Sequence, residues 1–209
     1  MFSKLQYISQ GETIYSQIRN IHHALDTGCD WIQLRFKTDN QEQLYGLAEA
    51  AKLLCDTYSA TFIINDNPYL CQEVDADGVH LGLTDMNVKE ARTILDEYKI
   101  IGGTANTYED VIRRFEENCD YIGLGPYKFT TTKQNLSPLL GLDGYQNILQ
   151  KLKAEKIQIP IYAIGGIQME DVENLMKMGI HGIAVSSLIT NEYQENNYSQ
   201  LNTTLYVNS

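Results

Sequence analysis

Along almost the whole of its 209 residues the chain alternates short β-branched or aromatic runs with longer amphipathic segments. This alternation constrains the fold more than any other feature. Strand, helix, strand in succession forces parallel pairing, with each helix as the crossover. The predicted strands are Leu5–Ile8, Trp31–Leu34, Thr61–Ile64, Gly78–Leu81, Ile100–Gly103, Tyr121–Leu124, Ile161–Ile164 and Gly182–Val185. Several are unbroken apolar runs, the pattern of strands covered on both faces. Between them, Leu44, Leu47, Ala48, Ala51 and Leu54 follow Asn40 at helical spacing, with Asn40 as the N-cap. Val172, Leu175 and Met176 form one face after Gln168, and Gly179 stands at the C′ position of that helix. Pro68 opens the first turn of a short helix.

Eight such units favour closure over an open sheet, so the expected fold is α/β, a single (β/α)8 TIM barrel spanning residues 1–209. At about 26 residues per unit it is a compact example of the fold. No Gly-x-Gly-x-x-Gly follows the first strand, which removes support for a dinucleotide-binding sheet. Residues 191–209 read as a polar C-terminal tail, partly helical through Tyr198, Leu201 and Leu205, with fraying last residues.

Composition narrows the function classes. The net charge of −11 argues against a nucleic-acid surface, which needs a basic stripe. No apolar run approaches the roughly 20 residues that span a bilayer, and the first residues lack a secretory pattern, so the expected location is cytoplasmic, with no membrane partner. Cys29, Cys55, Cys71 and Cys119 are far apart and read as buried thiols rather than zinc ligands or disulfides. A homo-oligomer stays open.

In barrels of this class the chemistry sits where the strands end. Here the second strand runs into Arg35-Phe36-Lys37, the third into Asn65-Asp66 and the fourth, past Gly82, into Asp85. The fifth runs into Thr104-Ala105-Asn106, and the sixth opens through Gly125-Pro126 into Thr130-Thr131-Thr132-Lys133. The seventh ends at Gly165-Gly166 and the eighth at Ser186-Ser187. Arg35 and Lys37 suit a pyrophosphate, one as a planar fork and the other as a point charge. The alternative is a solvated pair near Asp39. Asp66 and Asp85 are oxygen ligands of the kind Mg²⁺ takes, although each could equally cap the helix that follows it. The Gly-Pro-opened loop with clustered hydroxyls beside Lys133 suits an anion-binding lid, and it is long for a compact barrel. The Gly-Gly and Ser-Ser turns suit a phosphate monoester held by backbone N–H groups. The combination suggests a doubly phosphorylated ligand system with a metal, and the residues by themselves carry the reading as far as a phosphate-binding barrel.

Taken in order, Gln33-Leu34-Arg35-Phe36-Lys37, Ile64-Asn65-Asp66, Ala76 through Gly82 with Asp85, Gly125-Pro126 through Lys133, and Ala163-Ile164-Gly165-Gly166-Ile167 resemble the thiamin-phosphate synthase family. The resemblance covers roughly residues 5 to 190. It implies a transferase that condenses an aminopyrimidine diphosphate with a thiazole phosphate, releasing pyrophosphate with Mg²⁺ as cofactor. It also implies that Arg35, Lys37, Asn65 and Lys133 bind pyrophosphate and that Asp66 and Asp85 hold the metal. Gln33 and Thr104 would contact the aminopyrimidine, and Thr130, Thr132, Gly166, Ser186 and Ser187 the thiazole phosphate. Such chemistry asks for leaving-group electrostatics and positioning rather than a poised histidine, so His22, His23, His80 and His181 read as structural. The chain departs from the family pattern at Asn67, Leu83, Thr104, Asn106 and Phe129. Three rivals share the scaffold: a thiazole tautomerase, a sugar-phosphate isomerase or synthase, and a non-catalytic sensor of thiamin phosphate.

Overall fold

The computed structural model describes residues 2–129, 138–190 and 197–207. Within them the expected alternation closes on itself as a parallel barrel in the order β1 to β8. The strands are β1 (Leu5–Ile8), β2 (Trp31–Leu34), β3 (Thr61–Asn65), β4 (Gly78–Leu81), β5 (Ile100–Ala105), β6 (Tyr121–Leu124), β7 (Ile161–Ile164) and β8 (Gly182–Val185). The helices are α1 (Ile14–Asp26), α2 (Gln41–Thr57), α3 (Pro68–Glu73), α4 (Val88–Ile94), α5 (Tyr108–Glu116), α6 (Gly141–Ala154), α7 (Met169–Lys177), α8 (Ser187–Thr190) and α9 (Asn197–Val207). Closure is made by β1 pairing with both β2 and β8, which leaves no exposed edge.

Six strands keep the bounds expected from sequence. β3 and β5 run further, to Asn65 and Ala105, because their neighbours continue the ladder: Asn65 pairs with His80, and Thr104 and Ala105 pair with Gly123 and Leu124. Asn65 and Thr104 are therefore strand residues, not loop residues.

Helix starts are fixed by side-chain caps. Asn40 Oδ1 accepts from the Gln43 N–H (3.0 Å), as expected, and Thr13 and Thr107 form capping boxes ahead of α1 and α5. The helices bury one apolar face each against the outside of the barrel, where all four cysteines also lie buried. Leu201 and Leu205 of α9 are fully buried, and α9 packs on α7.

The barrel interior has two layers. Towards the strand starts, Trp31, Ile63, Tyr121 and Tyr162 form a separate apolar cluster with Phe2 against it. Trp31 meets Tyr121 and Tyr162 edge-on at 5.0 and 5.1 Å between centroids, a geometry worth about 0.5–1.5 kcal/mol per pair beyond area burial. Gly102 makes this plug fit, since a Cβ there would stand 2.2 Å from the Tyr121 ring. Above the plug the interior turns polar, with Gln6, Gln33, His80 and Thr104 all buried.

Candidate active site

The strand exits gather at one end of the barrel, so sequence-distant rim residues become neighbours. At the exits of β3 and β4 lies a group of opposite charges. Lys37, beyond β2, donates to Asp66 Oδ2 just past β3. Asp66 is in turn within hydrogen-bonding reach of Asp85 beyond β4. Asp85 Oδ2 also accepts from the Gly82 N–H (2.7 Å), so the turn after β4 aims this carboxylate back at the rim. Gly82 has to be small, because a Cβ there would meet Asp85 Oδ2 at 2.6 Å.

The two carboxyls are driven apart in acidity. Burial at the rim and then the Asp66 charge raise Asp85 above the ordinary carboxylate range. Burial alone would raise Asp66 too, but hydrogen bonds from Asp85 and Lys37 outweigh it and hold Asp66 below that range. Two carboxylates this close repel unless a proton or a cation lies between them. Carboxylate oxygens are the kind of ligand that a divalent cation takes.

The sequence left helix capping as a rival role for both aspartates. The structure gives the caps to other residues. Asn67 Oδ1 accepts from the Leu70 N–H (3.1 Å) at the head of α3, and Asn87 Oδ1 accepts from the Glu90 N–H (2.8 Å) at the head of α4. Asp66 itself takes φ +68°, a left-handed conformation that Asp tolerates better than most residues, with its N–H bonded to His80 O at 2.8 Å. Neither carboxylate is occupied by a helix start, and both face the rim beside Lys37.

Arg35 is half-buried, with its backbone bracketed by two neighbours. Its N–H donates to Ser9 Oγ (2.9 Å), and its carbonyl accepts from Gln17 Nε2 (3.3 Å). Asn65 ends β3 opposite His80. Gln33 and Thr104 line the polar floor, 2% and 5% exposed. They are joined through His80 and through Gln6 and Tyr121, which sequence reasoning did not single out. Gln33 Nε2 donates to Gln6 Oε1 (3.5 Å), and Gln6 Nε2 donates to the Tyr121 hydroxyl (3.1 Å). The hydroxyl meets His80 Nδ1 (3.0 Å), and His80 Nε2 meets Thr104 Oγ1 (3.0 Å). His80 is structural, as expected, but it is structural inside the site floor.

The exits of β6 and β7 are packed backbone to backbone. Gly165 and Gly166 take φ +90° and +67°, and a Cβ on Gly166 would stand 2.5 Å from Phe129 O. The Tyr127 and Lys128 N–H groups donate to Ile164 O (2.8 Å) and Gly165 O (2.9 Å), so the start of the β6–α6 loop is laid along the end of β7. Lys128 then reaches both carboxylate oxygens of the buried Asp171 at 2.6 and 2.8 Å. Asn106 donates to Gly125 O and ties the exit of β5 to the same loop. Ser186 and Ser187 follow β8, with Ser187 opening α8. Thr130, Thr132 and Lys133 lie outside the described residues.

A third residue missed in the sequence is Arg114 of α5, 2% exposed. Its guanidinium donates to the carbonyls of Thr104 (3.2 Å), Leu81 (3.4 Å) and Gly82 (2.7 Å). It clamps the ends of β4 and β5, and with them the turn that carries Asp85. Polar residues at the middle of short apolar strands, such as Gln6, Gln33 and His80, were the available signal for the floor. Arg114 had none, because an Arg on a charged helix reads as solvated.

Comparison with known proteins agrees with this fold. The family described as thiamine monophosphate synthase matches residues 5–189. The thiamine-phosphate synthase of Flavobacterium johnsoniae is 60% identical over 209 residues, covering 100% of this chain and 99% of that protein. That of Flavobacterium psychrophilum is 62% identical over 205 residues, 98% of each chain. Among solved structures, a thiamine phosphate pyrophosphorylase from Pyrococcus furiosus superposes with a TM-score of 0.84 at 28% identity, covering 98% of this chain and 96% of that one. A 3-hexulose-6-phosphate synthase reaches a TM-score of 0.71 over 97% of this chain and 100% of that one, but at 11% identity it shares the fold alone. No helix among the described residues is long and apolar enough to cross a membrane. On fold, on the ordered strand-end motifs and on likeness over its full length, this chain belongs to the thiamine monophosphate synthase family.

Proposed function

We propose that this chain is a transferase that condenses an aminopyrimidine diphosphate with a thiazole phosphate, giving thiamin phosphate and pyrophosphate. The observation that carries this reading is the Lys37–Asp66–Asp85 group at the β3 and β4 exits, set above the Gln33–Thr104 floor. A tautomerase has no leaving pyrophosphate, and so no use for a cation–dicarboxylate group beside a heterocycle floor. The curated relatives that match over nearly their full length carry the synthase name.

The residues divide the work by position. Arg35, Lys37, Asn65 and Lys133 bind the diphosphate and hold its bridging oxygen in line with the bond that breaks. Asp66 and Asp85 hold Mg²⁺, whose chemistry there is to neutralise charge on the departing pyrophosphate. Gln33 and Thr104 orient the pyrimidine ring. Thr130, Thr132, Gly166, Ser186 and Ser187 receive the phosphate of the thiazole, so that its ring nitrogen faces the pyrimidine methylene. No protein group has to take a proton from either ring. The rate enhancement comes from placement and from charge stabilisation.

The test is pyrophosphate release by the purified chain given both substrates, with Mg²⁺ and with excess chelator. Release that requires both substrates and the metal is the expected result. Release from the diphosphate alone, or no release under any condition, overturns the reading and favours the tautomerase or the sensor.

A further inference from the structure

Two neighbouring arginines of α5 meet opposite fates. Arg113 stands half in solvent and pairs with Asp110 three residues back, while the side chain of Arg114 is buried against the barrel. Burying a guanidinium is costly unless its charge is paired and its N–H groups are bonded. Glu117 Oε2 meets the charge at 2.9 Å, and the other bonds run to the backbone carbonyls of Thr104, Leu81 and Gly82. Room for the side chain comes from Gly103 on β5, where a Cβ would stand 2.7 Å from Arg114 Cδ and 2.9 Å from Nε. The glycine of the strand and the arginine of the following helix fit as one unit.

This unit holds two successive peptide planes. The Leu81–Gly82 peptide turns its carbonyl to Arg114 Nη2 at 3.4 Å and its N–H to Asp85 Oδ2 at 2.7 Å. A trans peptide is planar and points its C=O and N–H in opposite directions, so pinning one end aims the other. The next carbonyl, Gly82 O, accepts from Arg114 Nη2 at 2.7 Å and from the Asp85 N–H at 3.4 Å. Through Nε the same guanidinium reaches Thr104 O at 3.2 Å, which anchors the turn to the end of β5. We propose that Arg114 is a positioning residue for the divalent cation, fixing the Asp85 carboxylate at the rim through the Leu81–Gly82 peptide, and that Gly103 is what admits it there. Residues that orient a metal's ligand without touching the metal typically change its affinity by about 10–100-fold when removed. The proposal rests on the reading of Asp66 and Asp85 as the ligands of the metal, but the clamp on the turn is a property of the protein alone.

The test titrates Mn²⁺ alone, a paramagnetic stand-in for Mg²⁺, into the full-length protein and reads the free ion by its EPR signal. Hydrogen exchange of the Gly82 amide, followed by NMR in metal-free protein, reads the turn itself. Arg114→Ala and Gly103→Ala should each weaken Mn²⁺ by about 10–100-fold and speed exchange at Gly82. Gly103→Ala acts by displacing the guanidinium, so adding it to Arg114→Ala should weaken Mn²⁺ no further. A clamp that served stability alone would lower the unfolding midpoint and leave Mn²⁺ affinity in the folded protein at the wild-type value. That result overturns the proposal, and so do effects of the two changes that multiply. If Arg114→Ala does not fold, Gly103→Ala against wild type decides the matter. A wild type that binds no Mn²⁺, or binds it no better than Asp85→Asn does, sinks the metal reading first and the proposal with it, whatever the Gly82 amide shows.

Discussion

The rim after β3 and β4 and the rim after β6 and β7 are built on opposite plans. At the first, charges are left facing one another: Lys37 on Asp66, Asp66 against Asp85, with neighbouring asparagines taking the capping work. At the second, charge is neutralised and backbone is pressed on backbone. Lys128 closes on Asp171, and Gly165 and Gly166 let the loop lie along β7. The first plan sets two carboxylates against one another beside Lys37, an arrangement that the proposed cation would relieve. The second uses its residues to hold the base of the β6–α6 loop in place. Charge at the first rim should therefore matter to turnover more than to stability, and packing at the second should matter to both.

The largest effect should come from removing either carboxylate. Asp66→Asn, which keeps a residue at ease in the left-handed conformation, and Asp85→Asn should each lower Mg²⁺-dependent turnover by about 10²–10³-fold, the loss seen when one stabilising group at a developing charge is removed. The fold should survive both. Burial and the neighbouring Asp66 raise the folded pKa of Asp85, so its ionisation works against the fold as pH climbs through that raised value, and the contribution is recovered below the ordinary carboxylate range. Asp85→Asn removes that opposition, and the metal-free variant should melt at or slightly above wild type near neutral pH. A variant that is fully active, or one that is grossly destabilised, would erase the contrast between the rims.

The second rim is sharpened by Gly166→Ala. A methyl group at φ +67°, 2.5 Å from Phe129 O, has to push the loop off β7 or strain the turn. The expected loss is about 1–3 kcal/mol in urea unfolding, with turnover falling as well because the loop base moves. Asp171→Ala should follow at about 1–2 kcal/mol. This is less than the loss of a fully buried pair, since Lys128 is 44% exposed in its side chain and can take up water. If Asp171→Ala changes stability but not the affinity for thiazole phosphate, the loop base is a structural anchor alone.

Much of the barrel could be read from the sequence, because a strand covered on both faces is mostly apolar. Gly182–Val185 announces itself for that reason, and so do Leu5–Ile8 and Trp31–Leu34 apart from Gln6 and Gln33. The ends of β3 and β5 did not, since Asn65 and Thr104 are polar and so look like loop residues. The rim charges were legible from position: a carboxylate just beyond a barrel strand has few other places to point. The floor was not, because it exists only after closure. Residues 6, 33, 80, 104 and 121 belong to five strands, and nothing local says that Gln6 and Tyr121, 115 positions apart, share a hydrogen bond. The same holds for Arg114 and Asp171, whose partners are carbonyls and a lysine on other elements.

The smallest effect is expected where the sequence departs from the family pattern, at Asn67. Many members of the family carry a basic residue there, so Asn67 reads as the loss of one possible cation beside the rim proposed to bind phosphate. In the structure Asn67 serves the backbone instead, with its Oδ1 capping the Leu70 N–H while Pro68 occupies the first turn of α3. Asn67→Lys exchanges that cap for a charge. It should lower stability by about 1 kcal/mol, the usual worth of an N-cap, and move turnover by less than either aspartate change. Unfolding in urea measures the first quantity and pyrophosphate release the second. Because Asn67 follows Asp66 directly, a loose cap would also loosen the turn that holds the carboxylate. A rise in turnover with no loss of stability would show that the cap is dispensable and that the rim lacks a cation it can use. A loss in both would tie the cap to the carboxylate, and the first rim would then depend on packing as the second one does.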